Sequence, residues 1–387
     1  MNFLDKVFVN HSSIKMSMGS YEILYQLYER ITNYKPNDKP ITNKNKLYDE
    51  LVDKEVFQSI PIQIQTTIKK TRYVSKNVSY NLLSGRQICI HIFHKINEKD
   101  SFVNELCDKM YIWLSFLDKY ANEKCSMTLK IYIFLTEKEK KLTEEDSAIE
   151  PINANTAFTF SCKQDNEICI YRKEECFKVF IHETFHSFGV DFSNMSQILA
   201  NKIISSKFKI INKDIDFRIY ESYCESWALV INILFMLYTY DKIEAKPQNF
   251  ELWKNRCEIY LTYENLWSIF QANKVMNHYG IQEDMLSSNE ISYEENNTSP
   301  FSYYILKSYL INNIDDFIIW SDTNNFNTLF FNNTKKNIQN FSNFIYESSR
   351  NLKQSILLQE CQLFVLKNGK NIKWKKYMIS LRMSLCA

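Results

Sequence analysis

Glycine and proline are scarce: 5 and 6 in 387 residues. Tight hairpins and turns lean on both, so few of them are expected and a mostly helical protein with one modest sheet is favoured. A surplus of either charge is lacking too. Lys and Arg number 47 against 45 Asp and Glu, a formal net charge of +2. A dedicated nucleic-acid binder carries a strong basic excess, so no nucleic-acid partner is expected. None of the 10 cysteines forms a Cys-x-x-Cys pair, which argues against a thiolate zinc site or a thioredoxin-like motif. The opening Met1-Asn2-Phe3-Leu4-Asp5-Lys6 has no basic segment leading into an apolar run, so no signal peptide is expected. The cysteines are then expected to be reduced and buried, and the location cytoplasmic. The longest apolar run, Trp227 to Tyr240, is interrupted by Asn232. It is too short to span a bilayer, so it reads as a buried helix and no membrane partner is expected.

Hydrophobic residues make up 45% and charged residues 24%, which is ordinary for a folded chain of this size and rules out disorder. Ile, Asn, Lys, Tyr and Phe are abundant, as codon bias in an AT-rich genome would produce. Three regions are expected. Residues 1–85 read as a helical N-terminal region, with a helix capped by Ser20 and running through Ile31, and a second from Leu47 to Phe57. In residues 86–190, Ile88–Phe93 and Leu129–Leu135 read as buried strands flanking a helix over Phe102–Tyr120, a βαβ unit with parallel strands. Thr156–Phe160 and Ile168–Tyr171 read as a hairpin, followed by a helix from Glu174 that stops at Gly189. Residues 191–387 read as helical, with helices over 195–206, 219–240, 257–270, 303–310 and 340–364 and a surface loop over 286–300.

The helix after the hairpin carries Ile181-His182-Glu183-Thr184-Phe185-His186, a His-Glu-x-x-His motif. Residues i and i+4 share a helix face, so both imidazoles can reach one metal ion. Glu183 sits beside them, where it can take a proton from water. With 6 histidines in the chain, fewer than about 0.01 chance matches are expected. A hydrolytic zinc site needs a third protein ligand. Glu221 and Glu225 are again i and i+4, on a helix that runs into an apolar stretch. A buried carboxylate there needs a cation or donors. Glu221 on the metal and Glu225 accepting a proton from a histidine would satisfy both; two exposed glutamates in a first helical turn are the plainer alternative. Asp191 is a rival ligand. His-Glu-x-x-His-x-x-Gly begins the metzincin pattern, but the position that pattern requires holds Phe192, and Gly189 serves equally as a helix stop. His91 and His94 lie three apart on a strand and face opposite sides, so they read as structural.

The pair His182-Glu183-x-x-His186 and Glu221-x-x-x-Glu225-x-x-Ala228 resembles the gluzincin branch of zincin metallopeptidases. The glutamate pair is similar to that of the anthrax lethal factor catalytic domain. The longer strings around both motifs resemble a metallopeptidase family of large nucleocytoplasmic DNA viruses. The resemblance covers about 60 residues. It implies an α+β zincin-like fold, with a mixed sheet and active-site helix above a mainly helical lower half, and an intracellular or virion setting. It also implies one zinc ion held by His182, His186 and Glu221, supported by Glu225, with Glu183 as general base for hydrolysis of a protein or peptide substrate. The substrate is expected along an edge strand near Ile168–Tyr171. In the lethal-factor-like pattern a tyrosine two turns before the third ligand steadies the oxyanion. Asp214 stands there, which leaves Tyr303, Tyr304 and His278 as candidate donors. Two other readings stay open: a catalytically idle, zinc-stabilised binding or structural protein, and a metallohydrolase acting on a non-peptide bond. Oligomeric state is not legible.

Overall fold

A computed structural model describes residues 3–9, 11–34, 41–42, 51, 54–143, 147–212, 214–281, 291, 293, 298–369 and 371–386. Among them one mixed sheet of six strands stands against a helical body. The strands are β1 (Ile41–Thr42), β2 (Val74–Asn81), β3 (Gln87–His94), β4 (Thr128–Phe134), β5 (Ala157–Thr159) and β6 (Asp165–Ile170). Their order is β1-β2-β3-β4-β6-β5. The expected βαβ unit is present: β3 and β4 pair in parallel, Ile90 opposite Ile131, across α1 (Asp100–Asp118). β4 and β6 are also parallel. The expected hairpin is present as β5 antiparallel to β6. Ile131–Phe134 of β4 and Ile168–Ile170 of β6 are unbroken apolar runs, buried because both faces of the sheet are covered there.

Three expectations need correction here. Residues 74–81 of the supposedly helical N-terminal region are a strand of the sheet, paired along their whole length with β3. Ile168–Tyr171 is not a free edge, since β6 is flanked by β4 and β5 and the Tyr171 N–H donates to the Thr156 carbonyl at 2.9 Å. The outermost strand at that end is β5. The cysteines are not all reduced either: Cys125 and Cys162 form a disulfide, Cα atoms 4.6 Å apart.

The helical body is built on α2 (Cys176–Ser187), α3 (Ile219–Thr239) and α4 (Phe250–His278). α3 is buried along almost its whole length, as its apolar run predicts, and no helix among the described residues is long and apolar enough to cross a membrane. α4 extends well beyond the expected 257–270. The N-terminal helix spans Met18–Thr32 and is capped by Ser17, whose hydroxyl accepts from the Ser20 N–H. The expected single helix over 340–364 is two, Lys335–Ser349 and Leu352–Asn368. The break comes where the Asn351 side chain caps the second helix, accepting from the Lys353 N–H at 2.9 Å. The region around 303–310 begins as a π-helix, Phe301–Leu306. Most of the expected helix 47–57 and loop 286–300 lies outside the described residues. His91 and His94 are buried apart from each other, beside Asn77 and the Lys95 carbonyl respectively, as expected of structural histidines.

Residues 380–386 run without helix or strand along the helical body. The Met383 and Ser384 N–H groups donate to Glu175 at 3.2 and 2.6 Å, and those of Leu385 and Cys386 donate to Glu264. Lys307 donates to the Met383 carbonyl at 2.6 Å. Buried backbone groups must be satisfied, and in this segment buried charged side chains satisfy them.

Candidate metal centre

Helix α2 is fixed before any ligand is considered. All of Cys176–Ser187 is buried, with Phe180, Ile181 and Phe185 in the core. The Trp113 Nε1–H of α1 donates to Thr184 Oγ1 at 2.7 Å. The helix ends at Gly189, as expected of a helix stop. Its φ is +65°, its N–H donates to the His186 carbonyl at 3.1 Å, and the Val190 N–H donates to Phe185 at 2.9 Å. Only glycine adopts that conformation without strain. A Cβ there would also come 3.0 Å from Cys125 Sγ, so the disulfide packs against the helix end. The Cys162 N–H donates to the His186 carbonyl at 3.0 Å.

On this rigid helix the i, i+4 spacing does what the sequence predicts. His182 Nε2 and His186 Nε2 face each other 3.1 Å apart. Helix α3 packs against α2 and brings Glu221 to them, its Oε2 3.1 Å from His182 Nε2 and 3.3 Å from His186 Nε2. Glu221 Oε2 is buried and has no hydrogen-bond partner among the described residues. Two nitrogens and an orphaned carboxylate oxygen converging on one point form a group that could hold a metal ion. Burial opposes charge on His182, yet Glu225 and Glu221 raise its pKa to about 9. Burial would raise Glu221, yet the two imidazoles hold it down at about 2. The site therefore favours a carboxylate facing positive charge.

Glu225 stands on the other side of His182, Oε1 3.0 Å from Nδ1, within ion-pair distance but not aligned as a hydrogen bond. Asp191 plays the matching part for His186, Oδ2 2.5 Å from Nδ1. It also accepts from Ser193 Oγ at 2.9 Å and from the Cys224 thiol at 3.6 Å. Asp191 thus meets the imidazole nitrogen that points away from Glu221, so the rival-ligand geometry is not the one adopted toward the convergent group. His186, Asp191 and Cys224 do form a second buried cluster. Glu183 is buried beside the group, and burial raises its pKa while the two histidines oppose that. It borders a cavity of about 40 Å³ together with His182, Glu225, Tyr303, Thr156 and Met383.

Of the three candidate donors only Tyr303 is near, its ring 6.3 Å from that of His182. Tyr304 is buried and donates to the Leu381 carbonyl at 2.8 Å, and His278 lies against the Ser147 carbonyl at 2.7 Å. Asp214 is exposed in the turn before α3. Tyr220, whose ring meets His186 edge-on at 5.8 Å, was not anticipated, although its place next to Glu221 was a usable signal. Lys178 was missed as well. It pairs with Glu225 in the interior, and its position four residues before His182 puts it on the same helix face.

Compared with family models, curated proteins and solved structures, the chain matches none.

Proposed function

We propose that this chain is a zinc-dependent metallopeptidase of gluzincin type, with a zincin-like fold. The observation that carries the reading is the convergence of His182 Nε2, His186 Nε2 and Glu221 Oε2 with Glu183 alongside. Zinc bonds of about 2.0–2.1 Å in a tetrahedral site imply ligand atoms about 3.3 Å apart. The separations of 3.1, 3.1 and 3.3 Å fit that requirement. His182, His186 and Glu221 would hold one zinc ion per chain. When bound, zinc supplies Lewis acidity toward a peptide carbonyl and lowers the pKa of a water.

The chain's own groups supply the rest. Glu183 takes the water proton on its carboxylate and returns it to the leaving amine. Tyr303 borders the same cavity and is the candidate O–H donor to the carbonyl oxygen. Glu225 and Asp191 orient the two imidazoles through Nδ1, which leaves both Nε2 lone pairs directed inward. A peptide would add along β5, the outer strand beside the cavity.

The test joins metal to chemistry. Protein never exposed to chelator should hold about one zinc per chain by elemental analysis, and His182→Ala or His186→Ala should hold none. A terminomic comparison of wild type with Glu183→Gln should return cleavages made by the wild type alone. Absence of zinc from the wild type would sink the reading. The cavity of about 40 Å³ favours a second reading, since it admits water but no peptide. A zinc-stabilised binding protein would keep the metal, and no cleavage would depend on Glu183.

Asp191, a rival ligand by spacing, contacts the outward Nδ1 of His186 and so supports a ligand. Asp191→Asn is expected to weaken zinc binding by about 10–100-fold, read by chelator competition. Unchanged affinity would mean that His186 needs no partner on Nδ1.

A further inference from the structure

We infer that Lys178 is a positioning residue for the metal centre, acting through Glu225 on His182; the inference rests on the zinc reading above. Lys178 and Glu225 are buried, at 0% and 3% exposure. The carboxylate is divided between two partners: Oε2 contacts Lys178 Nζ, and Oε1 lies 3.0 Å from His182 Nδ1. A carboxylate held at one oxygen has its second oxygen fixed in direction, and that direction is the outward nitrogen of a ligand histidine. Without the ammonium, Glu225 is free to turn about its terminal torsion, and His182 loses the partner that sets its ring orientation.

The surroundings make this arrangement specific. Lys178 belongs to a buried set of three lysines, Lys140, Lys178 and Lys307, and three glutamates, Glu175, Glu225 and Glu264, all at most 2–3% exposed. Lys140 pairs with Glu175 at 2.7 Å. Lys307 also faces Glu225, but its ammonium donates to the Met383 carbonyl at 2.6 Å. It is therefore committed elsewhere and does not replace Lys178. A buried charge left alone is costly; here three lysines face three glutamates, and Glu175 and Lys307 act on Lys178 and Glu225 through charge.

Zinc affinity, read by chelator competition on the full-length chain, tests the inference. Lys178→Met should weaken zinc about 10-fold, and Lys178→Arg should restore most of the loss. Glu225→Gln should weaken zinc by at least as much as Lys178→Met. The double variant Lys178→Met, Glu225→Gln should be no weaker than Glu225→Gln alone, within about twofold, because the two act in series. A purely structural lysine would give losses that multiply. Multiplying losses, or a Lys178→Met protein that binds zinc like wild type, overturns the inference while leaving the zinc reading intact. Wild type that takes no zinc removes both. Should Lys178→Met fail to fold, a crystal structure of the zinc-loaded wild type decides. Glu225 must then bridge Lys178 Nζ and His182 Nδ1, and any other arrangement refutes the inference.

Discussion

Glu183→Gln is expected to keep its zinc and to lose peptide hydrolysis by a factor of about 10²–10⁴, the usual contribution of a positioned general base. Glutamine has the same shape and fits the same buried position, so the cavity wall and the helix are undisturbed. Glu183 is not one of the three convergent donors, which is why metal content and turnover should separate. What is lost is, among the described residues, the one carboxylate that borders the cavity without a second task. Glu225 also borders it, but its oxygens are engaged by Lys178 and His182. The measurement is zinc content beside turnover on the same preparation. Turnover equal to wild type would place the chemistry elsewhere. Loss of zinc would make Glu183 a ligand.

Glu221→Ala should come off a column metal-free, whereas Glu225→Ala should retain stoichiometric zinc and lose it readily to a chelator. Spacing along the chain did not distinguish these two glutamates, which stand one helical turn apart. Their positions in the folded protein do. Glu221 Oε2 lies 3.1 and 3.3 Å from the two inward nitrogens; Glu225 meets the outward nitrogen of His182. Removing the first leaves two protein donors, fewer than a zinc site uses. Removing the second leaves all three donors but loosens one, for a loss of about 10–100-fold. The opposite order by elemental analysis would reassign the third ligand to Glu225.

The parts legible in the sequence were those set by short-range geometry. The His182, Glu183, His186 spacing, the Gly189 stop and the apolar run of α3 each depend on neighbours within a few turns of one helix, and the parallel pair around α1 follows from the connection rule for a strand–helix–strand unit. The parts not legible depend on distant partners. β2 buries only part of its length, Val78 and Tyr80 inward while its first residues are exposed, so its apolar signal was too thin to separate from a helical region. α4 was read short because its inner face carries Glu258, Glu264, Gln271 and Lys274, polar groups that look like surface until their partners are known. The Cys125–Cys162 pairing joins two loops whose proximity follows from the sheet order alone. Lys178 and Asp191 stood next to the motif, but their roles depend on which imidazole nitrogen faces which way.

The segment at residues 380–386 has a consequence for the order in which the molecule assembles. Its partners lie far back along the chain: Ser384 meets Glu264 across 120 residues and Glu175 across 209. Contacts of such range form late, because the intervening chain must be closed into a loop first. Until they form, Glu175, Glu264 and Lys307 lack the backbone groups they hold in the finished protein, and the charge balance behind His182 is incomplete. The histidine pair, by contrast, is ready as soon as one helix exists. A nascent chain can thus present two nitrogens that could hold a metal ion long before the partners that would hold them still are in place.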